Sequence, residues 1–164
     1  EVFVSPAMGI HGLIVHKFAM LVGSHVDANN LGYMFGAETY FVMRHDPREH
    51  RAADVAFVAR GRVRSVNELF GRIPFAPDFA VEVVSDWDKA IEIRRKVNSY
   101  MANGTRLLVL AFPDTRQLDV YRPDDLVQTL TEMDTLDGGD VLPGFAVSVS
   151  AIFSVLDDEP DAEA

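Results

Sequence analysis

Two apolar runs on either side of a polar, helix-like segment constrain the fold of this chain more than any other feature. The runs are FAVEVVS (residues 79–85) and RLLVLAF (residues 106–112), and runs of this kind are typical of strands buried on both faces. Between them, Asp86 or Asp88 is predicted to cap a helix that runs to about Ala102, where an Asn-Gly pair ends it. If the two strands pair in one sheet, this strand–helix–strand connection requires them to be parallel.

The remaining segments predict further strands around this unit. Apolar residues recur at three- and four-residue steps between His11 and Ala28, which indicates a helix. We therefore predict an α/β fold, a single domain with a mixed β-sheet flanked by helices. The other predicted strands are Tyr33–Phe35, Glu38–Met43, ADVAFVA (53–59), QLDVYR (117–122) and VQTLTEM (127–133), and VLPGFAVSVSAIF (141–153) is the last ordered segment.

The composition excludes several classes of protein and site. A chain of 164 residues suits one compact domain. It contains no cysteine, which excludes disulfides, thiolate-ligated zinc and cysteine nucleophiles. No apolar run approaches the roughly 20 residues that cross a bilayer, so no membrane association is expected. Because the absence of cysteine fits a cytosolic protein, we expect a cytoplasmic location.

The charge of the chain is acidic but uneven. The formal net charge is -10, and residues 157–164 supply five of the negative charges. We predict that these residues form a flexible acidic tail after a domain of residues 1–156. An acidic chain argues against nonspecific coating of nucleic acid. Seven arginines against four acids between Arg44 and Arg72 nevertheless leave room for a local basic surface.

Glu82 stands in the middle of the first apolar run. Side chains alternate along a strand, so Glu82 is predicted to share one face with Ala80 and Val84. A lone carboxylate buried there costs several kcal/mol unless it is paired or bound to a cation. Glu82 therefore requires a partner.

Asp54 and Lys96 are candidate neighbours of Glu82. Asp54 lies 28 residues earlier, at the head of another strand, and two carboxylates on adjacent strand ends suit Mg²⁺ or Mn²⁺. Lys96 lies 14 residues after Glu82 on the returning helix, where its long side chain can reach back to hold a phosphate or orient a water. On spacing alone, a structural ion pair between Glu82 and a lysine or arginine explains the same residues.

Several short motifs follow one another in a distinctive order. They are RAADVAFV, APDFAVEVVS, a K-x3-Y pattern, LDVYRP and VLPGF, preceded by GIHGLIVHKFAMLVGSHV near the N-terminus. In their order and spacing, from about Glu1 to Phe153, they resemble the Uma2 family. This family consists of proposed endonucleases in the restriction-endonuclease-like, PD-(D/E)xK superfamily. The resemblance therefore implies a restriction-endonuclease-like fold.

Residue by residue, the resemblance implies a catalytic site made of Asp54, Glu82 and Lys96. Asp54 takes the place of the aspartate in the family's Pro-Asp pair, although Ala53 replaces the proline. Glu82 takes the acidic position of the (D/E)xK strand. Val84 stands where the superfamily usually has its lysine, and we expect Lys96 on the following helix to replace it.

The resemblance also implies an activity, a cofactor and partners. The activity is metal-dependent hydrolysis of phosphodiester bonds by a DNA endonuclease, with Mg²⁺ or Mn²⁺ held by Asp54 and Glu82. Metal and lysine would stabilise charge that develops on the phosphate. The expected partners are nucleic acid, with DNA favoured, and a second copy of the chain, because a nuclease with one site per chain commonly pairs to cut two strands. The alternative is a non-catalytic binding or regulatory module that keeps the nuclease fold, which the acidic charge and the altered loops favour.

Three further residues are second-rank candidates for the same site. His11 could add a metal ligand or general base, although a surface position near the helix start is the simpler expectation. Glu38 and Asp78 could add acids, with a turn or surface position as the competing reading. Trp87 is expected to cover the core rather than to stack on a base.

Overall fold

The described part of the chain comprises residues 9–43, 49–85, 87–123 and 126–157 of a computed structural model. Three short 3-10 helices accompany its helices and strands, at Arg60–Arg62, Val66–Leu69 and Ser154–Leu156. Apart from Asp157, the predicted tail lies outside the described residues. The helices and strands are α1 (Gly9–Ala28), β1 (Gly32–Gly36), β2 (Phe41–Val42), β3 (His50–Arg51), β4 (Val55–Ala59), β5 (Phe79–Val83), α2 (Ala90–Ala102), β6 (Leu107–Phe112), β7 (Gln117–Tyr121), β8 (Gln128–Leu130), β9 (Thr135–Asp137), β10 (Ala146–Ser148) and α3 (Val149–Phe153).

Six strands form one mixed sheet at the centre of the fold. Their order across the sheet is β1-β4-β5-β6-β7-β8. β5 and β6 are parallel, with Glu82 opposite Leu110, and α2 connects them. The other neighbouring pairs of this sheet are antiparallel. The predicted α/β class, mixed sheet and parallel crossover are thereby confirmed.

An apolar cluster lies on each face of the sheet. The odd-numbered residues of β5 pack on one side with α1 and α3. Ala80 of the same strand packs on the other side with Tyr100 of α2. Because side chains alternate along a strand, Glu82 is directed toward the α2 side with Ala80, as predicted. The carboxylate thus enters the layer between the sheet and α2.

Two features of the chain around the sheet differ from the sequence predictions. The predicted strand Glu38–Met43 is reduced to Phe41–Val42, because the chain first turns at Glu38, whose φ is 72°. The C-terminal segment contains β9, β10 and α3, with β9 and β10 paired in a separate small sheet. These elements were not predicted individually, because the segment shows no clean alternation around its Pro-Gly pair.

The start of α2 also differs from the prediction. Lys89 is the N-cap residue and makes no side-chain cap. Asp88 instead accepts hydrogen bonds from the Ser85 N–H at 2.9 Å and from Ser85 Oγ at 2.8 Å. Capping by Asp88 was therefore a wrong prediction, since its carboxylate is engaged in the preceding loop. Asp86, the other predicted cap, lies outside the described residues.

Among the described helices, none combines the length and apolarity needed to span a bilayer.

Candidate active site

Glu82 is a buried carboxylate held by two side chains of α2. Its side chain accepts a hydrogen bond from Lys96 Nζ at 2.7 Å through Oε2 and one from the Tyr100 hydroxyl at 2.7 Å through Oε1. Glu82 is only 6% exposed. The partner that the sequence required therefore exists, and it is the predicted lysine together with a tyrosine.

The helical repeat explains why α2 supplies both donors. Residues four apart lie on the same helix face, so Lys96 and Tyr100 both face the sheet. Tyr100 is fully buried, whereas about a third of the Lys96 side chain, 34%, is exposed. The lysine thus reaches the buried carboxylate from the solvent side, and the tyrosine reaches it from within the core.

The backbone of β5 holds Asp54 beside this pair. Asp54 immediately precedes β4, and its own N–H donates to the Val81 carbonyl at 3.1 Å. Its Oδ2 accepts a hydrogen bond from the Val83 N–H at 2.8 Å. Since Val83 directly follows Glu82 in the chain, this bond fixes the Asp54 carboxylate beside the residue that carries the second acid.

His11 approaches the same carboxylate from another element. Its Nε2 lies 3.3 Å from Asp54 Oδ2, and each side chain is 20% exposed. His11 stands in the first turn of α1, on the other side of the sheet from α2. The structure therefore brings together Asp54, Glu82, Lys96 and the second-rank candidate His11, and it adds Tyr100.

The environment shifts the pKa values of the Glu82 cluster. Burial raises the pKa of Glu82 above its ordinary 4.5, and the Asp54 charge adds to this, although Lys96 and Tyr100 oppose it. Burial alone would lower the pKa of Lys96, but the charge and hydrogen bond of Glu82 outweigh burial and raise it above 10.5. Burial, followed by Glu82, raises the pKa of Tyr100 well above its usual value.

The two pKa shifts have opposite effects on the charged forms of Glu82 and Lys96. The raised pKa of Lys96 favours its charged form, whereas the raised pKa of Glu82 disfavours the carboxylate. Glu82 is almost wholly buried and Lys96 is partly exposed. Burial therefore destabilises the charged form of Glu82 more than that of Lys96. The hydrogen bonds from Lys96 and Tyr100 are what stabilise the buried carboxylate.

The donor set at this position suits a hard divalent cation. Asp54 and Glu82 present carboxylate oxygens, the ligands that Mg²⁺ and Mn²⁺ prefer. Within the described ranges, no group of three or more His, Cys, Asp or Glu side chains is arranged to hold a metal ion. A cation such as Mg²⁺ commonly uses one or two protein carboxylates and takes its other ligands from water and substrate phosphate. Two carboxylates are therefore a sufficient protein contribution.

Asp88 belongs to the electrostatic surroundings of this cluster. Burial would raise its pKa, but the two hydrogen bonds from Ser85 and the charge of Lys96 outweigh burial and lower it. Asp88 thus stays ionised and fixes the loop that follows β5. The sequence predicts Asp88 only as a helix cap, because its spacing of three from Ser85 does not reveal the hydrogen bonds between them.

The other two candidate acids lie elsewhere. Asp78 precedes β5 and is thus at the opposite end of that strand from Glu82. It is 2% exposed, accepts from the Ala59 N–H at 2.8 Å and pairs with Arg62 at 3.0 Å. Glu38 is exposed in the turn after β1 and lines a different cavity, which also includes Arg72. The structure places neither acid in contact with Asp54 or Glu82.

Two aromatic residues were misjudged from the sequence. Trp87 was expected to cover the core, but it is 78% exposed, so that prediction is wrong. The sequence predicts Tyr100 only as the last residue of the K-x3-Y pattern and assigns it no role. That pattern was itself the signal, because its spacing places both side chains on one helix face.

The comparison with protein families identifies the chain. A family model named Uma2, described as "putative restriction endonuclease", matches residues 1–150. The chain belongs to the Uma2 family. The resemblance inferred from the motifs is thereby confirmed. No curated protein matches this Uma2 chain by sequence.

A solved structure shares the fold. The crystal structure of a putative nuclease from Anabaena variabilis is similar with a TM-score of 0.78 and 20% sequence identity. The match covers 92% of the Uma2 chain described here and 83% of that protein. The fold is therefore that of a nuclease-like protein, as the resemblance implied. The family is thus described as one of putative restriction endonucleases, and the chain shares the fold of a putative nuclease.

Proposed function

We propose that this Uma2 protein is a metal-dependent DNA endonuclease that hydrolyses phosphodiester bonds at the Asp54–Glu82–Lys96 cluster. One observation carries the proposal. A nuclease-family chain buries Glu82 in the central strand of its sheet, beside Asp54, and supplies Lys96 from the next helix at 2.7 Å. A buried charge is costly, and strongly perturbed carboxylates in such positions are candidate functional groups.

Asp54 and Glu82 are the residues that would hold Mg²⁺ or Mn²⁺. When bound, such a cation would polarise the phosphate and favour ionisation of water near neutral pH. The Val83 N–H already fixes the orientation of Asp54, so one of the two carboxylates is positioned by backbone rather than by flexible side chains. Pre-positioned carboxylates lower the reorganisation that binding requires.

Lys96 and Tyr100 act on Glu82 in different ways. Tyr100 is buried and donates to Oε1, which makes it a positioning residue that fixes the rotamer of Glu82. Lys96 is partly exposed, so its ammonium group can contact solvent or substrate while it remains bound to Oε2. A cation there can orient an attacking water and can stabilise negative charge that develops on the phosphate.

His11 is a second-rank member of this site. Its Nε2 faces Asp54 Oδ2 at 3.3 Å, within reach of the region that the two carboxylates border. We propose that His11 orients Asp54 or receives a proton near it.

The non-catalytic alternative rests on a specific observation. Both oxygens of Glu82 already accept hydrogen bonds, from Lys96 and from Tyr100. This arrangement is expected of an ion pair that stabilises the fold of a protein which binds a partner but catalyses no reaction. The catalytic function requires Asp54 and Glu82 to bind a divalent metal, whereas the non-catalytic function does not.

Metal titration separates these functions. Isothermal titration of Mn²⁺ is expected to show binding to the wild type that Asp54→Asn and Glu82→Gln each abolish. Asp78→Asn is the matched control, because it removes a buried carboxylate at the other end of β5 and is expected to keep metal binding. If all four proteins are folded and none binds Mn²⁺ at millimolar concentration, the nuclease proposal is wrong.

Cleavage assays then test the chemistry. Supercoiled plasmid and single-stranded DNA are incubated with Mg²⁺ or Mn²⁺, and the wild type is expected to nick or cut them. Lys96→Ala is expected to keep metal binding and to lose most cleavage, because it removes the catalytic cation. Light scattering of the protein with and without duplex DNA tests the proposed homodimer.

A further inference from the structure

A small pocket opens directly beside the candidate active site. It lies between the first turn of α1 and the ends of β5 and β6, and its volume is about 80 Å³. Because enclosed sites for small ligands usually measure about 300–1,000 Å³, an occupant would lie against the mouth of this pocket rather than inside it. His11 belongs to both places, because it lines the pocket and also contacts Asp54. A group seated in the pocket would therefore adjoin the two carboxylates.

The lining of the pocket is suited to a flat, uncharged ring. Its walls include Ile10, Val84, Trp87 and Pro113. The indole of Trp87 is 78% exposed, although large aromatic side chains usually lose most of their exposure on folding. The polar residues of the lining are His11, Ser85 and Asp114.

The residues around the pocket do not favour a phosphate as the occupant. Among the described residues that line it, none is a lysine or arginine. The neighbouring Asp88 is ionised. This carboxylate disfavours a phosphate, whereas it does not repel the neutral π-face of a nucleobase.

The residues on either side of Trp87 include a hydrogen-bonded pair. Asp88 accepts two hydrogen bonds from Ser85, at 2.9 Å and 2.8 Å. Ser85 itself lines the pocket. The exposed indole of Trp87 thus lies at the rim, beside a hydrogen-bonded part of the pocket wall.

We propose that this pocket binds an unpaired nucleobase stacked on Trp87, which makes single-stranded or locally unpaired DNA the substrate of the adjacent site. The inference rests on the proposed function, because it takes the Asp54–Glu82 cluster as the place where the neighbouring phosphodiester is hydrolysed. In a duplex, the faces of the bases stack on one another, so an indole at the surface finds no free face. An acidic chain also gains little from general attraction to the DNA backbone. Contacts to a base are therefore expected to contribute more to DNA affinity than contacts to the backbone.

Trp87 offers its own spectroscopic test, because it is the only tryptophan of the chain. Its fluorescence is recorded in EDTA while a short single-stranded oligonucleotide, or a blunt duplex of the same sequence, is added. Stacking is expected to quench the indole with the single strand and to quench it much less with the duplex. Because EDTA excludes divalent metal, this measurement does not depend on cleavage.

Variants make the test specific. Stacking of one base on an aromatic side chain corresponds to a change of roughly 5- to 150-fold in affinity. Trp87→Ala is therefore expected to weaken binding of a labelled single strand by a factor in this range, and Trp87→Phe is expected to retain most of it. Phe70→Ala is the matched control, because Phe70 is an equally exposed aromatic, at 82%, outside the pocket lining. It is expected to bind like the wild type.

The outcomes separate this inference from the nuclease proposal. Single-strand affinity that is unchanged in Trp87→Ala, equal quenching by both DNA forms, or no binding of the single strand would each overturn the nucleobase site. Cleavage and Mn²⁺ binding could persist in those cases, and the nuclease proposal would then stand alone. Selective quenching without Mn²⁺ binding would instead support the nucleobase site and refute the nuclease.

Discussion

Replacement of Lys96 by methionine tests whether the buried carboxylate depends on its lysine. The substitution keeps most of the side-chain volume and removes the ammonium group that lies 2.7 Å from Glu82 Oε2. Removal of one partner from a fully buried ion pair costs about 3–5 kcal/mol. Here Lys96 is 34% exposed and Tyr100 still donates to the other oxygen. We therefore expect a loss of about 2 kcal/mol at pH 8, roughly half of the fully buried value.

The loss is expected to depend on pH with a definite sign. Lys96 lowers the pKa of Glu82, so its removal moves the folded pKa further above the unfolded value of 4.5. A carboxyl group with a raised folded pKa stabilises the fold fully below its unfolded pKa and loses this contribution as pH rises through the folded pKa. The gap between Lys96→Met and wild type should therefore be smaller at pH 5.5 than at pH 8. Titration of Lys96 itself contributes only near and above pH 10.5.

Urea denaturation in EDTA at pH 5.5 and pH 8 measures this gap. Both values lie above the sequence pI of about 4.8, where low net charge promotes association. A loss of 2 kcal/mol corresponds to a decrease in Tm of about 4–8 °C for a chain of this size. Arg95→Met is the matched control, because it removes an exposed cation from the same helix and should change stability by less than about 0.5 kcal/mol. A Lys96→Met loss that is below 0.5 kcal/mol by this assay, or that is equal at the two pH values, would refute the electrostatic account of Glu82.

Four further substitutions test other features. Tyr100→Phe should destabilise the protein by about 1–2 kcal/mol and raise the pKa of Glu82, because the buried Oε1 loses its donor; an unchanged denaturation midpoint would contradict this role. Asp78→Asn should lower stability by about 1–3 kcal/mol in urea denaturation through its lost ion pair, yet leave Mn²⁺ affinity unchanged. Gly32→Ala should lower Tm strongly, because a Cβ would lie 2.1 Å from the carbonyl oxygen of Val58, whereas Gly12→Ala, with open space in α1, should raise it.

The strands β4, β5 and β6 were predictable from the sequence because each is an almost continuous apolar run. Buried strands leave continuous apolar runs, and a helix between two such runs restricts the topology to a parallel crossover. The position of Glu82 in one run and of Asp54 at the head of another then placed two carboxylates on adjacent strands. The contact between Lys96 and Glu82 followed from helix geometry and side-chain length.

The sequence predictions that were wrong concern contacts within and around short polar segments. Asp88 was assigned to a helix cap because the sequence does not show that Ser85 competes for its carboxylate. Trp87 was assigned to the core because large aromatic side chains usually lose most of their exposure on folding, but its indole is 78% exposed. Asp78 and Asp54 both adjoin strands, and the antiparallel pairing of β4 with β5 places Asp54 at the end of β5 that carries Glu82.

The location of both Glu82 donors in α2 has a consequence for how the chain folds. Lys96 and Tyr100 lie 14 and 18 residues after Glu82, so each contact closes a short loop at little entropic cost. The same helix connects β5 and β6, whose parallel pairing is the slow kind. The carboxylate therefore gains its donors in the step that packs α2 onto the two central strands. A nascent or partly unfolded chain that has not completed this step has no assembled site, so whatever chemistry the cluster performs belongs only to molecules that have finished folding their core.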